Sequence, residues 1–489
     1  MRQWSKYQEQ VFDFIRNGRG SAVVEAVAGS GKTTTIVEAM KMASGRSIFL
    51  AFNKAIADEL KSRGCAASTF HSAAFAGLRK VASPKVDANK VAGLQRELWS
   101  YEIRAGYGAF TKRLVGLAKG VGIGCKGCPE DHPDSWLELV LQHDITLDRD
   151  DERLTLEKGF ELCSELLWAS NNCKHIIDFD DMLYLPVLWE LELPKYDVVF
   201  VDEAQDTNAI QREILRKLGH ARTRYVAVGD PHQAIYGFRG SDNDSLARIK
   251  SDFNCVTLPL SISYRCPQRV VEYAQQWVSH IQAHESAPEG EVLSLERWGK
   301  DTFRAGDMIV CRTTAPVVST AFRLIRSGIP ATVMGREIGA GLKALIKKLN
   351  VMEEGAGEIE RLKAALDVWA GKEIGKLDPE LDENKIKSVE DKAETIVALC
   401  DGLDDGQGIA DLMSAIDALF EDKRNAVVLC TIHKSKGLEA ERVFWLNRSQ
   451  CPATWPRKKW QKDQEINLCY VAATRAKNTL VTIEEGGWE

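Results

Sequence analysis

The run Ala26-Val-Ala-Gly-Ser-Gly-Lys-Thr33 constrains this chain more than any other part of its sequence. It follows the apolar run Ala22-Val23-Val24 and opens a helical pattern from Thr33 to Ala43. A strand feeding a short glycine loop and then a helix builds a cradle for nucleotide phosphates. Loop N–H groups point inward, and the helix N-terminus adds partial positive charge. In such a cradle Ala28, Gly29, Ser30 and Gly31 wrap the phosphates, and Lys32 reaches the β- and γ-phosphates. Thr33 can set its hydroxyl on Mg²⁺, with Thr34 beside it. The strict pattern has glycine at position 26, where this chain has alanine. A chance glycine turn before a helix is the rival reading. It leaves the matching strand and helix unexplained.

A chain of 489 residues is too long for one ordinary core and points to two or more domains. Apolar residues make up 44% and charged residues 27%, as in soluble globular proteins. No run approaches the roughly 18 apolar residues of a membrane span, and the start has no apolar secretory region. A cytoplasmic or nucleoid-associated protein, without membrane contact, is therefore expected. Twelve cysteines lie scattered without a compact framework, which fits reduced thiols. The net charge of −6 argues against a uniformly basic coat but leaves room for a local basic groove.

Short buried strands are expected at Ser21–Val27, Ser47–Phe52, Asp197–Asp202 and Tyr225–Gly229. Helical patterns such as Thr33–Ala43 and Lys54–Arg63 lie between them, and this alternation predicts a covered parallel sheet. Between about 75 and 170 the pattern is mainly helical, with Trp99, Leu114, Leu117, Trp136 and Leu139 as anchors. A second strand-rich stretch begins near 258 and includes Met308–Cys311 and Ala331–Met334. A helical, acidic segment from about 341 to 424 interrupts it, and Ala426–Thr431, Val443–Leu446 and Thr479–Ile483 resume it. The fold class read here is α/β, with two lobes that each carry a helical insertion. The first lobe takes residues 1–74 and 171–258, with 75–170 inserted. The second takes 259–340 and 425–489, with 341–424 inserted.

Asp197-Val-Val-Phe-Val-Asp202-Glu203-Ala-Gln205-Asp206 is an apolar strand ending in carboxylates. Asp202 at its tip suits Mg²⁺, a hard cation that takes oxygen ligands and keeps waters. Glu203 is then placed to polarise the attacking water. Val226-Ala-Val-Gly229-Asp230-Pro-His-Gln233 is a further strand with a polar end, where Gln233 can sense the γ-phosphate or orient water.

Six segments occur in a telling order. They are the loop at 26–33, Asp202-Glu-Ala-Gln-Asp206, Gly229-Asp-Pro-His-Gln-Ala-Ile-Tyr-Gly-Phe-Arg-Gly240, Ser263-Tyr-Arg265, Thr431-Ile-His-Lys-Ser-Lys-Gly-Leu-Glu439 and Tyr470-Val-Ala-Ala-Thr-Arg475. Together they resemble the UvrD/Rep family of superfamily 1 DNA helicases. With Ala51-Phe-Asn-Lys54 and Thr69-Phe-His71-Ser, the compact chain resembles the helicase core of F-box DNA helicases. The resemblance spans residues 8 to 480. It implies two RecA-like lobes with ATP in the cleft between them. It also implies that Gln8 reads adenine, that Tyr264 stacks on the base, and that Arg265 and Arg475 serve the γ-phosphate. Gly437 and Glu439 then lie on the ribose and cleft side. Arginine suits phosphoryl transfer because its rigid fork neutralises the equatorial oxygens.

The chain departs from the family pattern at a few positions. Thr34 stands where several bacterial members have an arginine against adenine. Ser263 replaces a common Asn, and Phe238 a common Trp.

The resemblance also implies a single-strand DNA track, built from Phe52, Asn53, Lys54 and His71, from Tyr236, Phe238 and Arg239, and from His433 and Lys434. Aromatic stacking plus a basic path holds single strands. Without the family pattern, Phe52, Phe70 and Phe238 read as core. Gln233 and Tyr236 share one short segment, so closure around ATP can move a stacking platform.

Three other features carry less. Cys125 and Cys128 with His132 form half a zinc pattern, with Cys163, Cys173 and His175 as remote candidates. A loop with free thiols is the better reading. Asp178-Phe-Asp180-Asp181 reads as an acid-rich helix start. Arg457-Lys-Lys-Trp460-Gln-Lys462 reads equally as a DNA contact or a solvated linker.

The expectation is an ATP- and Mg²⁺-dependent helicase or translocase acting on single-stranded DNA and single-strand/duplex junctions, with 3′-to-5′ movement implied by the resemblance. A translocase that strips proteins from DNA and an ATP-controlled binding switch are the alternatives. A fused nuclease is not expected, because nine residues follow Leu480.

Overall fold

The computed structural model describes residues 3–143, 145–147, 153–237, 244–349, 357–379, 382–404, 406–421, 423 and 425–489. The chain divides into two compact units. One is Met1–Val27 with Gly31–Ser261, and the other is Ala28–Ser30 with Ile262–Glu489.

The first unit is built on a six-stranded sheet. Its order is Ala67–Thr69, Ser47–Ala51, Val198–Val201, Arg224–Gly229, Ala22–Ala26, Val256–Leu260. Every pairing is parallel. The strands are apolar at successive positions because both faces are covered. Val23, Ile48, Leu50, Val199 and Val201 join one core, and Val24, Phe49, Phe200, Val226 and Val228 join the other. The first core continues into the helices Lys90–Leu98, Tyr101–Val121, Pro133–His143 and Leu156–Asn172 through Val91, Leu114, Trp136 and Leu166. The inserted helices therefore complete one face of the sheet.

Parallel strands place all their C-terminal ends on one edge of a sheet, where such folds build their sites. The segments that follow Ala26, Ala51, Thr69, Val201, Gly229 and Leu260 all leave from that edge. One expectation is corrected here. The strand-rich stretch read as starting near 258 opens with Val256–Leu260, which pairs with Ala22–Ala26 in the first sheet. An apolar run shows that a strand exists, but not which sheet accepts it.

The second unit has its own six-stranded sheet. Its order is Glu291–Leu295, Ala476–Ile483, Ala440–Leu446, Met308–Cys311, Val427–Thr431, Ala331–Val333, again with parallel pairings. The helices Arg336–Lys348, Glu358–Ile374, Glu383–Asp401 and Ile409–Leu419 form its inserted segment. Leu342, Leu362, Leu366, Ile396, Leu399 and Ile416 share one core with Ile309, Val318, Leu324 and Leu429. Asp391 fastens the insertion further, since its carboxylate accepts the N–H groups of Thr314 and Ala315 at the start of helix Ala315–Arg326.

Candidate nucleotide and nucleic-acid site

The phosphate loop begins where strand Ala22–Ala26 ends. Ala26 is buried among Val24, Ile36 and Val228. It has no positive φ, so the glycine of the strict pattern is not required there. Gly31 does need its freedom, because it caps helix Lys32–Met40 at φ 75°. Gln8 lies beside this loop. It forms a capping box with Ser5 at the start of helix Lys6–Asn17, and its amide donates to Thr35 Oγ1 at 2.9 Å. In this arrangement the side-chain oxygen of Gln8 serves the helix cap.

Lys32, Thr33, Asp202 and Glu203 converge as the sequence predicts. Lys32 Nζ sits 3.1 Å from Glu203 Oε1. Burial works against its ammonium, but Glu203, Asp230 and Asp202 together raise its pKa above the ordinary lysine value. Thr33 Oγ1 donates to Asp202 Oδ2 at 3.1 Å. Burial, aided by the Glu203 charge, pushes Asp202 up to about 6 against the pull of Lys32. Thr33 and Asp202 thus offer two hard oxygen donors side by side. This suits Mg²⁺, which takes one or two side-chain ligands and completes its shell with phosphate oxygens and water.

Glu203 adopts a left-handed backbone conformation, φ 48°, uncommon for a residue with a side chain. Its N–H donates to Asp202 Oδ1 at 2.9 Å. Gln233 is buried, and its amide donates to Asp230 Oδ2 at 2.7 Å. Gln205, which the sequence reading gave no role, joins Glu203 to Asp230. Its place inside the Asp202–Asp206 run was the only available signal.

The loop residues Ala28, Gly29 and Ser30 cluster with the second unit. Ala28 N–H donates to Tyr470 Oη at 2.8 Å, and Tyr264 N–H to Gly29 O at 2.9 Å. Gly29 stands at φ 71°, and a Cβ there would lie 2.5 Å from Arg265 Cβ. Ser30 Oγ is buried with no hydrogen-bond partner among the described residues, and its hydroxyl is a donor that suits a phosphate oxygen.

Tyr264 exposes 42% of its surface and leans on the His284 ring at 4.8 Å between centroids. Arg265 Nε donates to Glu439 Oε2 at 2.7 Å. Lys477 holds the other Glu439 oxygen at 3.0 Å. Burial raises the Glu439 pKa, but Lys477 and Arg265 outweigh it and hold the carboxyl below its ordinary value. Gly437, at φ 87°, opens the turn before it. Arg475 is buried, with its guanidinium on Val471 O, Leu438 O and Thr474 Oγ1.

The candidates for single strands divide more sharply. Phe52 is 49% exposed, whereas Phe70 is core, so the core reading fails for the first and holds for the second. Asn53 caps helix Lys54–Ser62 by accepting the Ile56 N–H, and Lys54 is exposed. Burial lowers the pKa of His71, leaving a neutral imidazole at pH 7. Tyr236 is half-buried. Phe238 and Arg239 lie outside the described residues. His433 and Lys434 share the short helix Ile432–Ser435, and Lys434 pairs with Glu337.

Cys125 is buried, which pushes its thiol up to about 12. Among the described residues no group of three or more His, Cys, Asp or Glu is placed to hold a metal. Asp178 and Asp181 bond each other's N–H groups, one on the last turn before helix Asp181–Leu188 and one at its start. They also form a buried ionic cluster. Lys119 reaches Asp178 at 2.6 Å and Asp181 at 2.7 Å, and Lys90 reaches Asp181 at 2.7 Å.

Comparison with known proteins agrees with this geometry. The UvrD/REP helicase N-terminal domain matches residues 134–254, and the UvrD-like helicase C-terminal domain matches residues 350–485. The chain is 32% identical to F-box DNA helicase 1 of Gallus gallus over 238 residues, 46% of this chain and 23% of that protein. It is 24% identical to F-box DNA helicase protein 1 of Schizosaccharomyces pombe over 94% of this chain and 55% of that protein. It is 32% identical to the ATP-dependent DNA helicase Rep of Escherichia coli over 24% of this chain and 19% of that protein. The chain thus spans about half or less of the length of these relatives. With an N-terminal domain match in the first unit and a C-terminal match in the second, the chain belongs to the UvrD-like helicase family.

Proposed function

We propose that this protein is an ATP- and Mg²⁺-dependent DNA helicase that translocates 3′-to-5′ on single-stranded DNA and opens single-strand/duplex junctions. The observation that supports it best is the cluster Lys32–Glu203–Asp202–Thr33 at the C-terminal edge of a parallel sheet, with an exposed aromatic, Phe52, leaving the same edge. Lys32 neutralises the β- and γ-phosphates. Thr33 and Asp202 hold Mg²⁺, which supplies further charge compensation when bound. Glu203 accepts the proton of the water that attacks the γ-phosphorus, and Gln233 orients that water. Arg265 and Arg475 supply the remaining positive charge, and both guanidiniums are oriented by hydrogen bonds within their own unit. Gln8 and Tyr264 take the adenine, and Gly437 and Glu439 the ribose side. Residues 75–170 and 341–424 serve as the helical insertions of the two lobes.

Steady-state ATP hydrolysis tests this reading. Single-stranded DNA is expected to stimulate turnover severalfold, and Lys32→Ala to lower the stimulated rate by about 10²–10³-fold, as for loss of one preorganised charge-stabilising group. Duplexes with a 3′ tail should open and those with a 5′ tail should not. DNA binding with unstimulated turnover would favour a binding switch instead. Displacement of bound proteins without duplex opening would favour a stripping translocase.

Phe52 is proposed as one base-stacking platform. Its ring is half in solvent, so its removal opens no core cavity. Phe52→Ala should cost about 1–3 kcal/mol of single-strand affinity, on the order of five- to 150-fold in Kd, read by fluorescence anisotropy. An unchanged Kd would remove Phe52 from the track.

A further inference from the structure

We propose that Gln205 is a positioning residue that carries the single-strand signal from the segment Asp230–Tyr236 to Glu203. This rests on the helicase reading above and adds a residue to which that reading assigns nothing.

Gln205 is buried, 2% exposed, and both ends of its amide are engaged. Nε2 donates to Glu203 Oε2 at 2.5 Å, and Oε1 accepts the N–H of Asp230 at 3.0 Å. The amide cannot be reversed, because a carboxylate only accepts and a backbone N–H only donates. The two oxygens of Glu203 are thereby bracketed, Oε1 by Lys32 and Oε2 by Gln205. Packing enforces the bridge as well. A Cβ on residue 229 would fall 2.4 Å from Gln205 Oε1 and 3.0 Å from the Gln205 nitrogen, so Gly229 is what lets the two segments approach.

Beyond the bridge, the chain from Asp230 is fixed in short steps. Asp230 is fully buried and accepts from His232 N–H at 3.0 Å and from the Gln233 amide at 2.7 Å. Ile235 is anchored in the interior, and Tyr236 follows half-buried. A displacement of Tyr236 is therefore transmitted through the buried run Gln233–Ile235 and the hydrogen bonds of Asp230 to the N–H that Gln205 holds. Through one rigid amide it reaches the carboxylate placed to take the water proton. The left-handed backbone of Glu203 is a conformation that persists only where the surrounding structure holds it in place.

The test compares Gln205→Leu and the isosteric Gln205→Glu with the wild type. The readouts are kcat and KM for ATP, measured with and without saturating single-stranded DNA. Saturation removes any change in DNA affinity from the comparison. The expected result is a stimulated kcat lowered severalfold, close to the unstimulated rate, with a KM within about twofold, while the unstimulated rate changes less. The stimulation ratio then falls toward one. A residue that merely supports the fold would lower both rates together. A variant that keeps the wild-type stimulation ratio, whatever its basal rate, overturns the proposal. If the wild type itself shows no stimulation, the helicase reading fails rather than the role of Gln205. Gln205→Glu preserves side-chain volume and covers the case in which the leucine variant does not fold.

Discussion

Replacing Glu203 with glutamine will leave nucleotide binding in place and slow ATP turnover by about 10²–10⁴-fold, the usual contribution of a general base. The glutamine has nearly the same shape but cannot take a proton from water. Lys32 keeps Asp202 and Asp230 as charged neighbours, so the phosphate-binding ammonium stays compensated. The new glutamine can present its own amide oxygen to Gln205 Nε2, so the bridge from Gln205 to the Asp230 N–H is kept. The expected pattern is therefore a lowered kcat with KM and the affinity for a fluorescent nucleotide analogue little changed. A kcat within tenfold of wild type would mean that another group receives the proton.

The second large effect concerns stability. Lys119→Met is expected to cost the first unit about 3–5 kcal/mol, because it strands buried carboxylates. Lys119 is 1% exposed and holds Asp178 and Asp181 together. After its removal Asp181 keeps Lys90, at 2.7 Å, while Asp178 loses the ammonium it pairs with. Pairing Lys119→Met with Asp178→Asn should recover part of the loss, since one uncompensated charge is removed with its partner. Denaturant midpoints of the single and double variants provide the check. A midpoint unchanged in Lys119→Met would show that water reaches the cluster and that the pairs contribute little.

These two sites also mark what a linear reading can reach. The nucleotide side was legible because its parts are local: an apolar run, a loop or carboxylate at its end, then a helix. Asp202 and Glu203 follow Val198–Val201 directly, and Lys32 follows Gly31. The ionic cluster was not legible. Lys90 and Lys119 sit in helical patterns like ordinary surface lysines, and their acids lie 91 and 59 residues away. The acid run 178–181 was read only as a helix start, since its partners come from other elements. Phe52 and Phe70 look alike in sequence, each just beyond a short strand. The first stands outside the core and the second turns into it, a difference set by tertiary packing. Strand Val256–Leu260 was recognisable as a strand, but its assignment to the first sheet depends on pairing with residues 22–26.

The inserted helices of the second unit bear on how this protein can be divided. They interrupt the order of the chain but not its interior, since Leu362, Leu366 and Leu399 belong to the same core as Ile309 and Val318. Excising residues 341–424 would not yield a smaller, simpler lobe. It would bare the oily side of helix Ala315–Arg326 and withdraw the Asp391 carboxylate from its first turn. Shortened versions intended for crystallisation or domain grafting must therefore keep this segment, or replace it with something equally greasy on one side.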